Sequence, residues 1–258
     1  MLKHSIALIV FLLLNFVSNG ILHAHGLIKS LPADGTWASY DVETTITDKN
    51  GFRTSSTGTL MVRSVGKVEI DGKACRWLEF EHSWQQEVTE QNPRKFHSSI
   101  TKIAIDESAF SKVTDPTEGI VAGYCDKTSA GQKPENWKYT RLQKVERGRG
   151  STTGYGALDY YIRAPFNHPT NIDNKMITVG DKTLDCSGLE HSETTHKLGA
   201  NKNSVTTTAF RQWTNNETPF GVVRYHFERI QMDGTSFNQQ LTLKSIGKNA
   251  NAAIPNVK

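Results

Sequence analysis

The sequence predicts a mainly β protein: an antiparallel unclosed barrel or a strongly curved sheet, with a short helical or loop lid in the middle of the chain. Two observations lead to this prediction. Apolar and polar residues alternate with a period of two in several segments, which is typical of half-buried strands. Turn pairs such as Asn50-Gly51, Asp71-Gly72 and Asp233-Gly234 separate or end those segments, as they do in hairpins.

The first strands follow a turn at residues 32–35. Ala38, Tyr40, Val42 and Ile46 recur mostly at period two between polar neighbours and predict a half-buried strand. Residues 57–68 are rich in Thr and Val, and a third strand is predicted from Cys75 onward, where residues 75, 77, 79 and 81 alternate with 76, 78, 80 and 82. Further strands are predicted over residues 96–105, 177–184, 204–213, 220–232 and 236–246.

The middle of the chain has a different composition. Residues 106–113 fit one or two helical turns, residues 115–136 are predicted to be loop, and residues 148–156 form a break rich in Gly and Ser. We therefore expect a single β-rich domain over residues 25–258, with a lid or loop region at about 106–170.

Residues 1–24 predict a secretory signal peptide. Lys3 precedes an apolar run, residues 5–17, that is shorter than the roughly 20 residues needed to cross a bilayer. Small residues allow cleavage after Gly20 or after Ala24. The signal predicts a secreted or periplasmic protein, and no later segment is apolar enough to span a membrane. We also expect a monomer.

The charge of the chain is only mildly basic, with a formal net charge of +4. Its densest basic patch, formed by Lys144, Arg147 and Arg149, is typical of a solvated loop. We therefore expect no nucleic acid among the partners.

The chain has three cysteines, Cys75, Cys125 and Cys186. In an oxidising compartment one disulfide and one odd thiol are expected. A short repeated pattern, V-G followed by C-x-x-L-E, precedes and includes both Cys75 and Cys186, and makes these two our preferred disulfide pair. A pairing of Cys125 with either one stays open. No C-x-x-C spacing is present, so zinc is not expected.

Candidate catalytic groups have ordinary structural explanations. His191 and His196 are five residues apart, which is not the spacing of a helical zinc pair, and on a strand they would lie on opposite faces. Glu79 and Glu81 would share a strand face and either act as an acid/base pair on a glycan or face water. Cys125 would be a nucleophile only if it were free and near a histidine. Whether the protein is an enzyme is left open, with a preference for no.

The alternative enzyme hypothesis concerns His25. Cleavage after Ala24 would make His25 the amino terminus, and that start resembles copper-dependent polysaccharide monooxygenases, in which a terminal His and a second His hold one copper. No motif selects the second ligand among His82, His97, His168 and His226. We therefore predict no cofactor and no metal, with His25 as the alternative.

Several short motifs together resemble a family of exported bacterial proteins. They are Asp34-Gly35-Thr36-Trp37, Gly58-Thr59-Leu60 with Val65-Gly66, Cys75-Arg76-Trp77-Leu78-Glu79, and Trp213 with Pro219-Phe220-Gly221-Val222-Val223. These proteins are similar in strand layout to the LolA-like lipoprotein-carrier superfamily. The resemblance spans most of the chain after the signal peptide.

The resemblance implies an unclosed barrel with a lid over an apolar hollow that can hold an acyl chain. We therefore expect a non-enzymatic protein that binds an apolar or lipid-bearing ligand, with a lipid or lipoprotein as its partner. The candidate residues for lining the hollow are Trp37, Tyr40, Trp77, Phe80, Trp213 and Phe220. The alternatives are a secreted enzyme acting on an envelope or polysaccharide substrate, and a structural or interaction protein with a filled core.

Overall fold

A computed structural model of the protein describes residues 26–87, 96–110, 119–127, 143–144, 169–198 and 203–254. Within them, eleven strands form one sheet. The elements are β1 (Trp37–Thr47), β2 (Arg53–Ile70), β3 (Lys73–Gln86), β4 (Phe96–Asp106), α1 (Glu107–Phe110), β5 (Ile120–Lys127), β6 (Gln143–Lys144), β7 (Thr170–Val179), β8 (Lys182–Leu198), β9 (Asn203–Thr214), β10 (Val222–Gln231) and β11 (Ser236–Gly247). The predicted fold class, mainly β, is confirmed.

The sheet consists of two antiparallel meanders joined edge to edge. The strand order is β6-β5-β4-β3-β2-β1-β11-β10-β9-β8-β7. Strands β1 to β6 form one meander and β7 to β11 form the other, and within each meander consecutive strands are paired. The junction is the pairing of β1 with β11, which runs from Trp37 opposite Gly247 to Thr47 opposite Ser236. Because β6 and β7 end the strand order, the sheet is curved but unclosed, as predicted.

Two predicted boundaries were wrong. Residues 177–184, predicted as one strand, contain the turn between β7 and β8, where Gly180 has a φ of 62° that favours glycine. Residues 115–136, predicted as loop, contain β5, which pairs with β4 from Ile105 opposite Ile120 onward. A helical turn does follow β4, because the Asp106 carboxylate accepts hydrogen bonds from the backbone N–H groups of Ser108 (2.9 Å) and Ala109 (3.1 Å).

Several predicted features lie outside the described residues. These are the signal peptide with His25, most of the lid region, and the side chain of Cys125. Within the part of the chain that is described, no helix is long and apolar enough to cross a membrane.

The main core covers one face of the sheet, which we call the inner face; the other is the outer face. Alternate residues of β1 (Ala38, Tyr40 and Val42) and of β11 (Leu241 and Leu243) are almost fully buried there. Successive side chains of a strand point to opposite faces, and residues paired across two strands lie on the same face. The register therefore shows which residues of the neighbouring strands lie on the inner face. The curvature of the sheet wraps the inner face around its own side chains, and β7 reaches β11 across it.

The N-terminal segment, residues 26–33, fills one end of the inner face. Leu27 and Ile28 are both 0% exposed and belong to the main core. The backbone N–H of Lys29 donates to the carbonyl oxygen of Phe220 (2.9 Å), and the Gln212 side chain donates to the carbonyl oxygen of Gly26. We call this end the base, and residues 26–33 the plug.

Candidate functional site

The inner face changes character from the base to the opposite end of the strands. Along β1, Tyr40 is 1% exposed and Val42 is 2% exposed, whereas Ile46 on the same face is 46% exposed. The same change occurs on β9 and β8, where Phe210 is buried but Thr206 and Glu193 are progressively more open. The inner face is therefore sealed at the base and accessible at the far end, which we call the mouth.

Aromatic side chains line the inner face of β8 to β11 as it approaches the mouth. The ring of Phe210 lies 6.3 Å from the ring of Tyr225 and 6.3 Å from that of His191. Phe227 and Phe237 meet edge to face at 5.9 Å. Phe237 is only partly buried, and β-sheet register sets it opposite Ile46. The mouth therefore keeps an apolar surface where it becomes accessible.

A buried amide interrupts this apolar surface. Gln239 is 4% exposed and lies between Thr44 on β1 and Phe227 on β10. Its Nε2 donates to the Thr44 hydroxyl (3.1 Å), but its Oε1 has no hydrogen-bond partner among the described residues. A buried oxygen of this kind favours a ligand or water that can donate a hydrogen bond.

A second wall of the inner face, formed by β3, carries a histidine. His82 lies on the inner face of β3, opposite Leu60 and Ser99, and its ring stacks on that of Trp84 at 4.6 Å. Burial lowers the pKa of His82 to about 4 from its ordinary 6.5, because the charged ring would lose its solvation. At neutral pH this wall therefore carries an uncharged imidazole.

The candidate cavity residues divide between the two faces. Tyr40, Phe80 and Phe220 belong to the main core near the base, and the Tyr40 hydroxyl donates to the carbonyl oxygen of Val222 (3.2 Å). Their burial means that they support the base instead of lining the mouth.

Two of the three candidate tryptophans, Trp37 and Trp77, lie on the outer face, because each alternates with inner-face residues on its own strand. Trp213, at the end of β9, is 6% exposed and belongs to the main core. Trp37 donates from its Nε1 to the carbonyl oxygen of Lys248 (3.3 Å), and the ammonium of Lys175 lies 4.4 Å from the Trp213 ring. Strand parity therefore places Trp37 and Trp77 away from the concave surface.

A buried ion pair is the main polar feature of the outer face. Glu79 is 0% exposed and Lys102 is 1% exposed, and the ammonium lies 3.4 Å from the carboxylate. Burial lowers the pKa of Lys102, and the neighbouring Glu79 opposes that shift. Arg63 forms a partly buried ion pair with Glu81 beside them. The predicted Glu79 and Glu81 pair does share one face, but both carboxylates are ion-paired instead of standing together as an acid and a base.

The expected disulfide is not formed. Cys75 and Cys186 are both buried free cysteines. Cys186 belongs to the main core, whereas Cys75 packs on the outer face in a second small cluster with Val65, Trp77 and Ala104. The two thiols lie in different clusters, on strands separated in the sheet by β2, β1, β11, β10 and β9.

The histidine pair on β8 lies as its spacing predicted. His191 contacts Phe210 on the inner face, whereas His196 is exposed on the outer face. Among the described residues, no group of three or more His, Cys, Asp or Glu side chains is arranged to hold a metal ion.

The fold and the site define a class of mainly β proteins with one open, curved sheet and a partly accessible inner face. No family model matches the chain, and no curated protein matches it. Among solved structures, the chain is similar to a "putative lipoprotein" from Parabacteroides distasonis, with 9% identity and a TM-score of 0.30 over 87% of this chain and 99% of that one. A similarity at this level carries no argument about function, so the LolA-like resemblance stays a prediction.

Proposed function

We propose that the protein is an exported, non-enzymatic binding protein that holds an apolar or lipid-bearing ligand in the mouth of its inner face. The observation that carries this proposal is the exposure of apolar surface on the inner face, at Ile46 and at the partly buried Phe237 opposite it. Exposed apolar side chains on a concave surface favour a ligand that removes them from water.

The energetics support an acyl chain or a similar group. Each methylene buried contributes about 0.8 kcal/mol before the costs of ordering. The base is already filled by the plug and by Tyr40. An apolar chain would therefore lie closer to the mouth, against the aromatic side chains of β8 to β11. The free Oε1 of Gln239 adds a contact for a ligand that carries a hydroxyl or an N–H group.

The test is a titration of the purified protein with a fluorescent fatty acid, in which we expect saturable binding. Ile46→Ser should weaken binding about tenfold, because it removes apolar surface that the ligand would cover. Ile230→Ser is the matched control: Ile230 is 44% exposed, close to the 46% of Ile46, but lies on the outer face of β10.

Native mass spectrometry of gently purified protein provides an independent measurement, in which we expect a bound lipid. A clean mass of the protein alone, together with no uptake of the fatty acid, would contradict the proposal. If Ile46→Ser and Ile230→Ser weakened binding equally, the ligand would not bind at the inner face.

A further inference from the structure

The C-terminal segment, residues 248–254, turns away from β11 and crosses the outer face of the sheet. We call it the strap. Its first contacts are at β1, where Trp37 donates to the carbonyl oxygen of Lys248 and the backbone N–H of Ala250 donates to the carbonyl oxygen of Gly35 (2.7 Å). It then reaches β3 and β4, where Ile254 is 0% exposed.

The buried ion pair of the outer face holds the far end of the strap by its backbone. Glu79 accepts hydrogen bonds from the N–H groups of Ala253 (2.8 Å) and Ile254 (3.0 Å), one on each carboxylate oxygen. Lys102 donates to the carbonyl oxygen of Ile254 (2.6 Å). We call Glu79 and Lys102 the clasp.

The clasp requires an occupant but does not distinguish one copy of the strap from another. The three hydrogen bonds that it makes with the strap all go to main-chain atoms of residues 253 and 254. If the strap left, Glu79 and Lys102 would exchange those bonds for water, and the side chain of Ile254, which is 0% exposed, would lose its burial. A strap from a second molecule would restore every one of them.

The hinge between β11 and the strap is mildly strained. Asn249 is exposed and has a φ of 64°, in the left-handed region that Asn enters more often than other residues with a side chain but at a cost that Gly does not incur. An extended conformation at Asn249 would relieve this strain and direct the strap away from its own sheet. Strained hinges next to a segment with self-sufficient contacts favour exchange of that segment between copies.

We propose that the strap exchanges between two copies of the chain, so that the strap of each molecule occupies the clasp of the other. The closed monomer and the exchanged dimer make the same strap contacts and differ at the hinges. Formation of the dimer relieves the strain at two Asn249 residues but costs the translational and rotational entropy of one molecule. Because two molecules must associate, the dimer fraction rises with protein concentration. This proposal does not depend on the ligand of the inner face.

The test compares substitutions at the hinge by light scattering after size-exclusion chromatography, over a range of protein concentrations. Asn249→Val disfavours the left-handed conformation and should raise the dimerisation constant by about tenfold for each of the two hinges. Asn249→Gly accepts that conformation without strain and should lower the dimer fraction below that of the wild-type protein.

Asp71→Val is the matched control, because Asp71 also has a left-handed φ, 51°, but lies in the turn between β2 and β3, away from the strap. It should destabilise the protein without raising the dimer fraction. Equal dimer fractions in Asn249→Val and Asn249→Gly would overturn the proposal.

Hydrogen exchange of the dimer tests which segment is exchanged. The amide protons of Ala253 and Ile254 should be as protected in the Asn249→Val dimer as in the monomer, because each clasp stays occupied. A dimer in which these two amides exchange rapidly would have its clasps empty, and this result would also overturn the proposal.

Discussion

His82 shows how a single residue couples the inner face to pH. Its pKa is lowered by burial, so the folded protein binds a proton there less readily than the unfolded chain does. The contribution of this residue to stability is therefore fully present above about pH 6.5 and is lost as the pH falls towards 4. Within that window each pH unit costs up to about 1.4 kcal/mol.

We expect His82→Gln to flatten the pH dependence of stability between pH 6.5 and pH 4, because the substituted side chain does not titrate. Urea unfolding at several pH values measures this. His196→Gln, at an exposed outer-face position, should keep the wild-type slope. A wild-type slope in His82→Gln would mean that the ring is solvated in the folded protein.

The free cysteines lead to a prediction about thiol reactivity. Burial raises the pKa of Cys186 to about 11, with Asp185 adding to the shift, so little of the reactive thiolate is present at pH 8. Cys75 is buried too, and its pKa is also raised by burial. We expect both to resist alkylation in the folded protein and to react in denaturant, as measured by peptide mass. A linked Cys75–Cys186 peptide would contradict this expectation.

At the scale of elements, the plug is the segment whose loss should be most damaging. Residues 26–33 have no strand partner, yet Ile28 is 0% exposed among side chains of the main core. Lys29 fixes the segment in place through its backbone bond to Phe220 and through its ammonium, which donates to the Thr214 hydroxyl (3.2 Å). The plug therefore joins the base of the inner face to the loop between β9 and β10.

Ile28→Ala should lower the free energy of unfolding by about 2–5 kcal/mol, because it leaves a cavity in the core. Ile230→Ala, on an exposed outer-face position, should change it by no more than about 0.5 kcal/mol. Urea unfolding of both variants is the measurement. A small effect of Ile28→Ala would show that the base closes without the plug.

At the scale of the whole molecule, the first and last segments of the described part of the chain pack on opposite faces of the sheet. The plug lies inside the curve of the sheet and the strap lies outside it, and the strap contacts the residues that follow the plug where the carbonyl oxygen of Gly35 accepts a hydrogen bond from the N–H of Ala250. The pairing of β1 with β11 also joins distant parts of the sequence. Such non-local contacts form only after the entropic cost of closing the intervening loop has been met. We therefore infer that this junction forms late in folding.

The sequence by itself determined the local structure. Alternation at period two and turn pairs such as Asp233-Gly234 predicted most strands, and the parity of β3 already separated Trp77 from Phe80. It also predicted the opposite faces of His191 and His196. These features could be predicted because a strand's alternation and a turn's backbone conformation depend on neighbouring residues alone.

Only the tertiary structure decided which face is concave and what covers the other one. The burial of Glu79 depends on a strap from the far end of the chain, and the free state of Cys75 and Cys186 depends on the strand order. The position of β5 depends on its pairing with β4. These features arise from contacts between segments distant in sequence, which leave no periodic signal in either segment.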